Sequence, residues 1–258
     1  MSLQADLQAI LDGFCGADAG RSVALRVEGL PDLSVRGSEP RPAASVIKIA
    51  LAMAAMRLGA RGKLDLSEQV PVQTFPKTRY VSILAGFDAD RTLSVREICR
   101  LALITSDNPM AVHLQGLVGL DAVNELLADI GCGPPCRMGA GFSEAELGPA
   151  NRANVLTADA ALDLLAAAQR DPIHADLMLA MSNNLRGQRI PALLPEAVVV
   201  AHKTGSLNGV VNDVGVVRGL AVAFAVAFLT DGQSDPAATS NDIAICALQL
   251  FERLAAGR

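Results

Sequence analysis

The feature that most restricts the fold is the way strand-like and helix-like sequence separate along the chain. Near the start, Val23, Leu25 and Val27 alternate with Ala24 and Arg26, the period of a half-buried strand, and Pro31-Asp32 makes a turn before a second short strand. Near the end, three strand-like runs (197–204, 210–217 and 220–229) follow one another with Gly or Asn-Gly between them. Residues 44–190 read instead as helical. Residues 46–58 are rich in Ala, Ile, Leu and Met, and Ser94-Val95-Arg96-Glu97 has capping-box spacing ahead of Ile98, Leu101, Ala102 and Ile104. Asp121 is expected to cap a helix running to Ile130, Thr157 to open another, and residues 172–183 to form one more. Helices over 3–14 and 239–255 complete the pattern.

Strands at both ends with helices between them predict an α/β (α+β) architecture. One antiparallel sheet is built from both termini, giving a discontinuous mixed lobe over 1–43 and 191–258. Residues 44–190 form an inserted all-α lobe, and the cleft between the lobes is the natural place for a site.

Composition narrows the function classes. The chain has 258 residues, 51% of them hydrophobic, enough for a substantial core. The longest apolar run, Leu220–Leu229, is too short to span a bilayer as a helix and alternates large with small residues, as a buried strand does. The net charge is -5 with no basic stripe, which argues against nucleic acid as a partner. The opening Met1-Ser2-Leu3-Gln4-Ala5-Asp6 shows no secretory signal. A periplasmic or secreted location is expected if a signal has been removed, and a cytoplasmic one otherwise. The five cysteines are odd in number and irregular in spacing, against a disulfide framework; Cys132-Gly133-Pro134-Pro135-Cys136 is open to metal binding or a local disulfide, but with no histidine close by and a stiff loop it reads rather as two unpaired thiols.

Three short motifs carry chemistry. In Ser45-Val46-Ile47-Lys48 a serine and a lysine lie one helical turn apart, so the amine can reach the hydroxyl. Lys48 falls among Ile47, Ile49, Ala50 and Leu51, and burial there lowers a lysine pKa toward that of a base. Ser106-Asp107-Asn108 interrupts two apolar helices: the Ser106 hydroxyl can relay a proton and the Asn108 amide can hold a substrate carbonyl. Lys203-Thr204-Gly205-Ser206 follows a strand, with Lys203 as an anionic anchor and Gly205 allowing close approach of a substrate backbone. The Ser206 N–H and that of Ser45 are the expected oxyanion donors. Each motif alone also reads as a helix start, an inter-helix turn or a strand end. Of the histidines, His113 reads as packed or superficial, His174 as superficial, and His202 as pointing away from Lys203 by strand alternation.

The three motifs in this order resemble those of the class A β-lactamase family of penicillin-recognising serine hydrolases. The segment Leu93-Ser94-Val95-Arg96-Glu97 and the spacing between motifs resemble that family too, so the likeness covers essentially the whole chain. It implies acylation of Ser45 by a β-lactam or D-configured amide, Thr204 beside the substrate, no metal and no cofactor, and a monomer acting on a small molecule. It also implies that a loop glutamate activates the deacylating water. Glu144-Ala145-Glu146-Leu147-Gly148 is the best match, with Glu144 as the base and Glu146 as the other carboxylate the alignment allows; both also read as solvated loop charges.

Several positions depart from the family pattern. Gly148 and Val112 stand where asparagines are usual, Phe142 and Asn154 fall near the usual loop-pinning Arg–Asp pair, and Asn212 stands where an arginine often binds the substrate carboxylate, with Arg218 further along. Tyr80 lies where the family often has an aromatic at the cleft mouth. The expected activity is β-lactam hydrolysis. The alternatives are a D-amino-peptide or other amide hydrolase on the same scaffold, or a slow-turnover penicillin-binding protein or sensor.

Overall fold

Both ends of the chain supply strands to a single sheet. In a computed structural model, which describes residues 2–77, 81–142, 149–220 and 222–256, five strands run in the order β2-β1-β9-β8-β7 with every pairing antiparallel. They are β1 (Arg21–Arg26), β2 (Leu33–Val35), β7 (Val199–Leu207), β8 (Val210–Arg218) and β9 (Ala223–Thr230). The short strands β3 (Arg41–Pro42) and β6 (Val155–Leu156) pair with each other, as do β4 (Gln69–Pro71) and β5 (Thr92–Ser94).

The central strand β9 shows why this sequence makes a two-faced sheet. Phe224, Val226 and Phe228 point into a core shared with α1 (Leu3–Cys15) and α8 (Pro236–Ala255). Ala225, Ala227 and Leu229 point to the other face, toward α6 (Ala158–Arg170). The large-small alternation thus fills a wide space on one side and lets a helix approach closely on the other. Burial of each large side chain contributes about 1.5–3 kcal/mol.

The helical layer is organised around α2 (Lys48–Ala60), buried from Lys48 through Met56 and packed by α3 (Val95–Ile104), α4 (Asn108–Val118), α5 (Leu120–Asp129) and α7 (Ala175–Met181). A helix apolar on every side has to be interior. The capping box at Ser94–Glu97 forms, and the Thr157 hydroxyl accepts from Ala160 N. No helix among the described residues is long and apolar enough to cross a membrane.

Three local expectations are corrected. Asp121 lies inside the first turn of α5, and the cap is Gly119, whose φ of 77° a side chain would resist. Strand β9 starts at Ala223, and Leu220 is fully exposed in the turn before it. His174 is buried, because the turn over 172–174 tucks it beneath α2.

Candidate active site

Ser45 sits on a single 3-10 turn, Ala44–Ile47, that leads into α2. The preceding residue, Ala44, is left-handed (φ 49°), a conformation that costs a non-glycine residue of order 1 kcal/mol and needs external support. Two asparagines supply it. Asn212 Nδ2, fully buried on β8, donates to Pro42 O at 2.8 Å and Ala43 O at 3.3 Å, while Ala43 N donates to Asn154 O at 2.7 Å. Gly205 on β7 lies against the same turn: a Cβ there would stand 2.8 Å from Ala43 O and 3.2 Å from Ser45 N. Its smallness serves the approach of β7 to the turn that carries Ser45.

The three motifs meet on the far side of Ser45. Lys48 Nζ donates to Ser106 O at 2.7 Å, to Asp107 O at 3.2 Å and to Asn108 Oδ1 at 2.8 Å, and lies 4.7 Å from the centre of the Phe142 ring. Among the described residues Lys48 has no hydrogen bond to Ser45 itself. Burial pushes the Lys48 ammonium down to about 7; Asp107 opposes the shift and Arg186 adds to it. Ser106, also left-handed (φ 61°), presents its hydroxyl to Lys203 Nζ at 2.8 Å. Lys203 is wholly buried, also donates to Thr204 O, and is held well below its ordinary value by burial first and by Lys48 next. Lys203 therefore stands behind Ser106, and other cations face the open cleft. Asp107 turns away, accepting from Ser82 Oγ, Ile83 N and Met110 N.

A cavity of about 480 Å³ opens over this cluster, lined by Ser45, Ser106, Asn108, Thr204 and Ser206. The strand β7 is the sheet edge, so one side of its backbone faces away from β8.

The lining residues not singled out in the sequence include two arginines, Arg186 and Arg189. Arg189 Nη1 donates to Gly205 O at 3.0 Å and to Asn212 O, and its Nη2 donates to Ser206 Oγ at 2.6 Å. It brings a guanidinium to the wall where Asn212 had been matched to an arginine; Asn212 is the turn brace, and Arg218 lies exposed at the far end of β8. The only available signal was Arg186-Gly187-Gln188-Arg189, a polar stretch without periodicity shortly before the third motif.

Glu144 and Glu146 fall within 143–148, and Tyr80 within 78–80; these lie outside the described residues. The base of that loop is described. Asn154 Oδ1 accepts from Gly139 N at 2.9 Å and Ala140 N at 3.0 Å, Asn151 Nδ2 donates to Gly141 O, and Arg152 pairs with Asp231. Amides and one ion pair to the sheet hold the loop neck. His113 packs on the Phe75 ring, and His202 Nδ1 meets Asp213 on the face of β7 opposite Lys203. Cys132 and Cys136 are free thiols, near Ala160 O and Thr157 Oγ1 respectively.

Residues 2–253 match the β-lactamase enzyme family. The chain is 33% identical over 100 residues to β-lactamase BRO-1 of Moraxella catarrhalis, a match covering 38% of this chain and 32% of that protein. Among solved structures it resembles a β-lactamase from Sphaerobacter thermophilus DSM 20745 (TM-score 0.84, 22% identity, covering 98% of this chain and 97% of the other). It also resembles a class A β-lactamase representative from Bacteroides cellulosilyticus DSM 14838 (TM-score 0.85, 22% identity, 99% of each chain). A structure of PBP-A is similar as well (TM-score 0.80, 18% identity, 98% and 96% covered). At these identities the structural likenesses establish the shared fold.

Proposed function

The chain belongs to the β-lactamase enzyme family, and from that premise we propose that it hydrolyses the amide of a β-lactam ring through an acyl-enzyme on Ser45. The observation that carries this reading is the convergence on Ser106. Its carbonyl takes the Lys48 ammonium and its hydroxyl takes the Lys203 ammonium, at the mouth of the cavity that Ser45 lines.

In the acylation step Ser45 Oγ attacks the lactam carbonyl and its proton passes to neutral Lys48. The backbone N–H groups of Ser45 and Ser206 receive the developing oxyanion. As the ring C–N bond breaks, the nitrogen takes the Ser106 hydroxyl proton, which Lys203 or Lys48 replaces. Asn108 has Oδ1 engaged by Lys48, which leaves its Nδ2 to donate to the substrate's acyl-side carbonyl. Arg189 receives the carboxylate on the leaving-nitrogen side, with Thr204 and Ser206 along the same wall. Water, activated by Glu144, then releases the acyl group.

A burst assay with a chromogenic cephalosporin, followed by intact-mass spectrometry, tests the reading. Sustained turnover is expected, with a transient adduct on the wild type and none on Ser45→Ala. An equal adduct on both proteins overturns the nucleophile assignment. A stoichiometric burst without turnover identifies a penicillin-binding protein, and no acylation points to another amide substrate.

A further inference from the structure

Among its described residues the cleft wall carries more positive charge than one carboxylate needs. Its described lining includes two guanidiniums, Arg186 and Arg189, and no Asp or Glu. The nearby Asp213 is occupied with His202 Nδ1 and Ile190 N. This concentration stands out in a chain with 27 acidic and 22 basic residues, whose arginines elsewhere are commonly ion-paired, as Arg26, Arg57, Arg152 and Arg253 are.

The two arginines are not equivalent. Arg189 is consumed by the scaffold, bonded to Gly205 O, Asn212 O and Ser206 Oγ, so its charge is fixed beside the β7 edge. The Arg186 side chain is exposed and has no hydrogen bond or ion pair among the described residues. Its backbone, however, is held. Arg186 N donates to Asn184 Oδ1 at 2.8 Å, Asn184 Nδ2 donates to Leu103 O and His202 O, and Leu185 N donates to Ile104 O. Four residues on, Ile190 N is tied to Asp213. The segment is thus pinned at both ends and presents Arg186 to the cleft. Its charge reaches the site, for it disfavours the protonated forms of Lys48, Lys203 and Arg189 alike.

Resting on the acyl-transfer reading above, we propose that Arg186 is a specificity-determining residue that makes this cleft prefer dianionic substrates, whose second carboxylate lies away from the one held by Arg189. A guanidinium whose N–H donors are unused among the described residues matches a carboxylate in a two-point geometry. Because Arg186 is exposed, the preference is modest, about 2- to 5-fold in kcat/KM, and falls with added salt.

The test uses a matched pair, benzylpenicillin and its counterpart with an α-carboxylate on the side chain, so that ring and reacting amide are constant. The ratio of kcat/KM for the two compounds is expected to favour the α-carboxylate compound in the wild type, to collapse by about 2- to 5-fold in Arg186→Gln, and to persist in Arg218→Gln, whose arginine lies outside the cleft. Any change in Lys48 basicity on losing Arg186 affects both compounds and cancels in the ratio. Equilibrium binding of both compounds to Ser45→Ala separates this proposal from the catalytic one. Arg186-dependent preference in this binding, with no turnover of either compound by the wild type, sustains the dianion site and sinks the acyl-transfer reading. An unchanged ratio in Arg186→Gln, or no Arg186-dependent difference in binding, overturns the proposal.

Discussion

Lowering the pH from 8 to 5 should switch off acylation by protonating Lys48. The magnitude follows from burial. Enclosed by α2, the Ser106–Asn108 turn and the Phe142 ring, the Lys48 ammonium is brought down to about 7. Only the neutral amine can take the Ser45 proton, so the rate follows the neutral fraction. That fraction is about a tenth of its limiting value one pH unit below the pKa and about a hundredth two units below. Acylation should therefore fall roughly tenfold at pH 6 and a hundredfold at pH 5. The measurement is the second-order rate constant of adduct formation by rapid quench and intact-mass spectrometry, which excludes deacylation from the readout. The sign has an internal check. Arg186 is a like charge that lowers Lys48, so Arg186→Gln should raise the Lys48 pKa and move the acid limb to higher pH. Lys48→Arg, whose guanidinium stays protonated, should lose acylation at neutral pH. A rate that is flat from pH 5 to pH 8, or near-normal acylation by Lys48→Arg, would refute the base role.

Two further outcomes are expected. Glu144→Gln should still acylate but accumulate the acyl-enzyme, with turnover down about 10²–10⁴-fold; trapping by Glu146→Gln instead would move the base two residues along the loop, and no effect from either would remove this loop from deacylation. Gly205→Ala should force β7 away from the Ser45 turn, since its Cβ would meet Ala43 O at 2.8 Å. Overpacking of this kind costs about 2 kcal/mol, or roughly 4–8 °C in Tm for a chain of this size, and acylation should fall with it; unchanged melting and rate would show the contact is easily relieved.

What was legible in the sequence was whatever is written in neighbouring residues. The alternation in β9, the capping box at Ser94 and the three motifs are local patterns, and Lys48 could be read as buried because its neighbours are apolar, whereas the burial of Lys203 was not legible. The misreadings also have local causes. Asp121 looked like a cap because acidic residues favour first turns, while the left-handed Gly119 makes the actual start. Leu220 extended an apolar run that the chain breaks at an exposed turn. The invisible part of the site is the part made by contacts distant in sequence. Asn212 reaches back about 170 residues to the Ser45 turn, Asn154 closes the neck of a loop, and Arg189 acquires its place only when β7 and β8 pair beneath it. Ala44 and Ser106 make the point most sharply. Both are left-handed, neither is a glycine, and no propensity predicts either conformation. Each is held where a long-range bracket arrives, Asn212 and Asn154 at the first and the ammonium groups of Lys48 and Lys203 at the second. Ser45 and Ser106 are therefore posed by the closing of the sheet against the helical layer. Substitutions in those brackets should weaken acylation while leaving all three motifs intact.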